Sequence, residues 1–242
     1  MSTEPASNDT DSKSPPAHRL KLKALDVAAI ALGLKSGDEL IAVNGLPFDG
    51  GEMQLRERFG RKGITVALTF EREGRKFVVL ASNPNLGTWT RGAEYDAAEA
   101  AKNAKRILPD GLINWEVYRD INDVYDLQQQ RPSALAIALT PLWLAQMRLW
   151  TPLAIWVATI IVTAPIGLYV VLLTQVLAWT YFWNTGPEFF RRDRIARGMK
   201  PFMVIAASSE AKVHGYLKKE FPELHFVYDP VPRVEEHEVE AL

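Results

Sequence analysis

Apolar and polar positions alternate in short runs between Arg19 and Ser82, whereas from about Ser133 to Asn184 apolar residues run almost without interruption. In the first stretch, Arg19-Leu20-Lys21-Leu22-Lys23-Ala24-Leu25 alternates as a half-buried strand does, and Val27 to Leu34 is a short apolar helix candidate. Glu39 to Asn44 reads as a buried strand leaving through a turn at Asn44-Gly45. Glu52 to Phe59 fits an amphipathic helix with Leu55 and Phe59 four apart on one face. Ile64 to Arg72 and Lys76 to Leu80 form two strands around Glu73-Gly74. These elements predict a small α+β unit over residues 19–82 that folds by itself.

The second stretch carries Arg148 as its only formal charge. It amounts to about 52 residues, or about 78 Å of helix, against a bilayer hydrocarbon core of about 30 Å. That length exceeds one crossing and falls short of three, so residues 133–186 are expected to form a two-span transmembrane helical hairpin. Thr163-Ala164-Pro165-Ile166-Gly167 supplies the break, with spans from roughly Leu139 to Val162 and from Ile166 to Trp183. A single long helix kinked at Pro165 is the competing reading. Arg191, Arg192, Arg194, Arg197 and Lys200 follow the second span, so positive-inside retention predicts both termini in the cytoplasm. Trp143, Trp150, Trp179 and Trp183, with Arg148, Arg191 and Arg192, are expected at the membrane interface against lipid. Arg148 would snorkel there, a functional charge within the membrane being the alternative.

The flanks complete the predicted organisation. Residues 1–18 read as a disordered polar tail without a secretory leader. Residues 83–132 read as a linker with helices over Ala93 to Leu108 and Trp115 to Leu127, the latter carrying Trp115, Tyr118, Ile121 and Tyr125 at helical intervals. Residues 187–230 form a basic segment and a small β-α-β appendage: a strand Pro201 to Ala207, a helix Ser209 to Phe221 capped at Ser208-Ser209-Glu210, and a strand Leu224 to Tyr228. Residues 231–242 make an acidic tail with Glu235, Glu236, Glu238 and Glu240.

The run Gly33-Leu34-Lys35-Ser36-Gly37-Asp38-Glu39-Leu40-Ile41-Ala42-Val43-Asn44-Gly45 resembles the signature of bacterial PDZ domains. In that family a peptide adds as a strand beside a groove between one strand and one helix. The resemblance implies such a groove here, with Arg19, Leu20, Leu22, Leu55 and Phe59 as partner-binding residues. No glycine-containing carboxylate loop precedes the strand, since Pro15-Pro16-Ala17-His18 occupies its place. The domain is therefore truncated at its binding end. The second half, through Pro141-Leu142-Trp143-Leu144, Arg148-Leu149-Trp150, the hairpin and the segment Arg191 to Pro201, resembles a family of uncharacterised bacterial inner-membrane proteins. That likeness implies a multi-pass inner-membrane location and carries no activity.

Composition narrows the function. With 242 residues, a formal net charge of −1 and no cysteine, the chain offers no nucleic-acid footprint, disulfide scaffold or thiolate chemistry. His18, His214, His225 and His237 share no metal-ligand spacing. Asp120, Asp123 and Asp126 recur every three residues but lack a calcium-loop pattern. No catalytic residues, metal or cofactor are expected. The reading that follows is a non-enzymatic accessory or scaffold subunit of an inner-membrane protein complex, contacted through its spans. The alternative is a tethered PDZ adaptor that recruits a partner independently of them.

Overall fold

The computed structural model describes residues 17–60, 64–130 and 139–229. Of the tail expected over residues 1–18, residues 1–16 lie outside the described residues and Ala17 and His18 begin the first strand; the beginning of the apolar block at 133–138 and the acidic tail with Glu235, Glu236, Glu238, Glu240 and His237 also lie outside them.

The first half builds one antiparallel sheet. Its strands are β1 (Ala17–Leu25), β2 (Glu39–Val43), β3 (Leu46–Pro47), β4 (Val66–Arg72), β5 (Arg75–Ala81) and β6 (Gly87–Tyr95), in the order β5-β4-β2-β1-β6 with β3 on β2. Helices α1 (Val27–Ala31) and α2 (Glu52–Arg58) connect them. The turns are where the sequence places them: Asn44 and Gly45 have φ of 52° and 77°, Glu73 and Gly74 of 51° and 78°, the paired left-handed conformations that tight hairpins require. The Asn44 carboxamide also accepts from the Ala67 N–H at 2.9 Å. β6 is new, since its residues read as linker and the beginning of a helix. It pairs antiparallel with β1 along almost its whole length, and only α3 (Ala97–Lys102) remains of the helix expected over Ala93 to Leu108.

Residues 115–127 are not a helix either. They form a β-hairpin, β7 (Ile113–Arg119) and β8 (Val124–Gln129). Asp120 closes the turn by accepting from the N–H groups of Asn122 and Val124, each at 2.8 Å, and Asp123 sits at φ 61°. Aspartates at these positions are turn chemistry, and they interrupt the helical spacing that the aromatics alone suggest. β9 (Lys200–Ala207) and β10 (His225–Phe226) join them in a second sheet ordered β10-β8-β7-β9, in which only β10 runs parallel to its neighbour. Helix α7 (Glu210–Glu220) connects β9 to β10. The strands read as a separate appendage are therefore one half of a sheet whose other half precedes the apolar block.

The two sheets share a core. Leu34, Leu68, Phe70 and Val79 of the first half belong to one buried cluster with Trp115, Val117, Val204, Val213 and Leu217 of the second. Gly33, at φ 64°, lies so close to β9 that a Cβ there would stand 3.0 Å from the Val204 nitrogen. Asn114 of β7 acts as a surrogate strand on the β5 edge: its carboxamide accepts from the Leu80 N–H at 2.8 Å and donates to the Leu80 carbonyl at 2.9 Å.

The apolar block departs furthest from expectation. It forms α4 (Thr140–Gln146), α5 (Trp150–Thr163), a 3-10 turn at Ala164–Ile166 and α6 (Leu168–Ala196). The chain turns back at Pro165 and Gly167, but these helices do not make a membrane hairpin: among the described residues no helix is long and apolar enough to cross a membrane. The first expected span is split by Arg148 at φ 55° into α4 and the 14-residue α5, about 21 Å of helix against the about 30 Å a crossing requires. In α6 the apolar stretch is diluted by Thr174, Gln175, Thr180, Asn184 and Thr185 and continues into charged residues. The multi-pass inner-membrane assignment, with its transmembrane and membrane descriptors, is overturned by the same finding.

The basic cluster loses its topological meaning for a separate reason. Arg191 pairs with Glu116 at 2.7 Å, Arg192 with Glu188 at 3.1 Å, Arg194 with Asp126 at 2.6 Å and Arg197 with Asp193 at 2.9 Å. These arginines fix the lower half of α6 to the second sheet and to itself.

Candidate interaction surface

The lower half of α6 packs on the face of β7 and β8. Phe190 is buried against Tyr118 with ring centroids 5.9 Å apart, and Met199 closes the same small cluster. Arg194, 3% exposed, sits beside Asp126 with its guanidinium 4.1 Å from the Phe190 ring. Burial lifts the Asp126 carboxyl above its usual range despite the opposing pull of Arg194. Burial, reinforced by the hydrogen bond to Glu116, raises the Tyr118 hydroxyl further, so it stays a neutral donor. The tip of the Trp143 indole, on α4, abuts Gly186, where a Cβ would come within 2.8 Å of it. Trp143, Leu144, Leu149 and Phe182 form the cluster that seats the base of the helices.

Above that base no other described residue covers the helices. None of the fourteen residues of α5 is buried, and the first buried residue of α6 is Phe182, fourteen positions after Leu168. Ile161, Val162, Ile166, Leu168 and Tyr169 at the tip are between 66% and 88% exposed. Further down, Ile155, Leu172, Leu173, Val176 and Leu177 are exposed as well. The two helices touch along one seam and leave a cleft of about 290 Å³ between Ile155, Thr159, Leu177 and Tyr181. Threonines on both helices return their hydroxyls to the carbonyl one turn back, as Thr159 does to Ile155 at 2.8 Å and Thr174 to Val170 at 2.8 Å. The threonine hydroxyls here are thus satisfied within their own helices.

The residues expected at a membrane interface disperse. Trp143 is buried, Trp150 is exposed at the first turn of α5, Trp179 is half-buried and Trp183 is exposed on the middle of α6. Arg148 stands at the α4–α5 corner with its guanidinium 4.9 Å above the Tyr228 ring. Arg191 and Arg192 hold carboxylates, as above.

The residues expected to line a peptide groove are brought together, but as interior. Leu22, Leu55 and Phe59 are at most 1% exposed and belong to the shared core, with Leu20 partly buried against it. Arg19 is engaged by Glu71 at 3.1 Å and Glu39 at 3.6 Å. Strand addition beside β1 has no room, because β2 and β6 occupy both of its edges. The signal that could have revealed this was the alternation Trp89, Arg91 after Gly87, too short to separate from a linker without knowing that β1 needed a second neighbour.

Among the described residues no group of His, Asp or Glu side chains is arranged to hold a metal ion. Comparison of the chain with protein-family models, with curated proteins and with solved structures finds no match.

Proposed function

We propose that the protein is a non-enzymatic accessory or scaffold subunit that binds a partner protein through the exposed upper part of α5 and α6. The observation that carries this reading is the uncovered apolar surface from Ile155 through Leu177. Single exposed apolar residues are ordinary on a monomer, but contiguous patches beyond about 300–600 Å² mark association sites. A partner presenting an apolar helical face suits it, since the cleft between Ile155, Leu177 and Tyr181 accepts a protruding side chain from a third helix. The two sheets serve as the rigid base, and the arginine pairs along the lower α6 set the direction in which the surface projects. A PDZ-like architecture for residues 19–82 fits this role as scaffold better than as a groove, given that both edges of β1 are occupied.

A photo-crosslinking amino acid placed at Leu172, with Lys218 on the far side of α7 as control, tests the proposal in cells of the source organism. The expected result is one discrete protein adduct from Leu172, absent from Lys218 and lost in the double variant Ile161→Asp, Leu173→Asp. Adducts to lipid alone, with co-sedimentation on protein-free phosphatidylcholine–phosphatidylglycerol vesicles, would overturn it and assign the surface to lipid.

A further inference from the structure

Among the described residues, one open strand edge lies on β8, beyond the end of β10. Pairing of Asn114 with Gln130 and of Asp120 with Val124 fixes the hydrogen-bonding register of β7 and β8. It turns the backbone groups of Tyr125, Leu127 and Gln129 away from β7. β10 uses the first part of that edge: His225 donates to the Asp123 carbonyl at 2.9 Å and Val227 to the Tyr125 carbonyl at 3.0 Å. There the pairing ends, because the chain turns at Asp229, whose N–H returns to the Phe226 carbonyl. The next outward N–H, of Leu127, is closed by the Asp126 carboxylate at 2.8 Å. Among the described residues, the Leu127 carbonyl and the Gln129 N–H and carbonyl have no partner.

This edge opens into a cavity of about 520 Å³, bounded by the α4–α5 corner on one side and by Phe226 and Tyr228 on the other. The size is that of a ligand cleft, typically about 300–1,000 Å³. Gln128 lines it, 5% exposed, with its carboxamide making no hydrogen bond among the described residues. The Gln128 carboxamide opens to this cavity, and the unpaired strand backbone beside it offers donors and acceptors that an added strand can use. Arg148 lines the same cavity and has no carboxylate partner among the described residues, whereas Arg194 is already matched by Asp126 and Asp193.

We infer that the β8 edge binds a short extended peptide segment of another protein, added as a strand in line with β10 and carrying an acidic side chain opposite Arg148. Backbone bonds to Leu127 and Gln129 supply registration, the Gln128 carboxamide a neutral polar contact, and Arg148 the charge preference. The site is independent of the α5–α6 surface, and its failure leaves that reading untouched.

The test uses the full chain, isotopically labelled, titrated with the capped peptide acetyl-Val-Glu-Val-Thr-Val-amide. Two analogues carry an N-methyl group at adjacent backbone amides. The expected result is a saturable shift of the Leu127 to Gln129 amide signals with slower hydrogen exchange at Gln129. One N-methyl analogue should lose binding and its neighbour retain it, because only alternate amides of an added strand face β8. Arg148→Gln should weaken binding about tenfold, and replacing the peptide Glu by Gln should do the same to the unaltered protein. No shift at millimolar peptide, or equal binding of both N-methyl analogues, would overturn strand addition. An affinity unchanged by Arg148→Gln would overturn the acidic preference.

Discussion

At the residue scale, stability concentrates in a few buried polar contacts. Asp38, 1% exposed, takes both Arg72 Nε at 2.7 Å and Nη2 at 2.6 Å while accepting from the Lys35 N–H at 2.8 Å. Arg72 also donates to the Gly33 carbonyl at 2.9 Å, tying β4 to the Gly33 turn. Asp38→Ala leaves a guanidinium without its partner, and equilibrium urea unfolding should register a loss of about 3–5 kcal/mol. The tyrosines give a pH signature. Burial raises Tyr125 to about 12, helped by Asp229 and Glu210, and raises Tyr216 to about 12, helped by Glu220. Their folded-state values exceed the unfolded value near 10, so the unfolded chain ionises first. The associated stability is complete below about pH 10 and is lost as pH rises through about 12. Thermal melts across that window should fall in midpoint, and Tyr125→Phe should flatten the fall. An unchanged slope in Tyr125→Phe would show that this hydroxyl carries none of it.

At the element scale, the decisive contact is between α4 and α6. Gly186 permits Trp143 to approach the α6 backbone, and its replacement by leucine places a side chain where the indole already is. Gly186→Leu should reduce stability by about 1–3 kcal/mol, the usual range for overpacking, with the indole displaced into solvent and its fluorescence shifted to the red. A fully retained spectrum would mean that α6 slides to accommodate it. Conversely, Leu172→Gln and Leu173→Gln, on a part of α6 that buries nothing, should each change the unfolding free energy in equilibrium urea titration by no more than about 0.5 kcal/mol.

At the scale of the whole molecule, the two sheets depend on each other. The unit expected to fold alone over residues 19–82 lacks β6, exposes the β1 edge, and loses the Val204 backbone that covers Gly33. That fragment should therefore show no cooperative melt by circular dichroism, and extension to residue 96 should restore one only at a midpoint below that of the full chain. An equally high midpoint for the fragment would make the shared core energetically idle. The second sheet cannot form from either side of the apolar block alone, since β7 and β8 precede it and β9 and β10 follow it. Long-range pairing of this kind requires the chain to close a loop of some 70 residues before the strands can contribute.

Local chemistry determined the first half of the protein. The turns at Asn44-Gly45 and Glu73-Gly74 and the strands β1, β4 and β5 are encoded within a few residues of where they act, so they are legible in the sequence. The break at Pro165 and Gly167 is equally local. What the tertiary structure alone decided is which edges and faces are used. β6 closes β1, which removes the expected peptide groove and makes Leu22, Leu55 and Phe59 interior. Glu116 and Asp126 neutralise Arg191 and Arg194, which in the sequence look like part of a free basic cluster, because carboxylates from β7 and β8, far along the chain, meet them only in the folded sheet. The total length of the apolar block implies two crossings, but the left-handed residue Arg148 divides its first part into helices shorter than that length implies. Strand pairing and charge pairing between distant segments leave no periodic mark, so only the folded chain could show that, among the described residues, part of the β8 edge stays open and the upper faces of α5 and α6 stay uncovered.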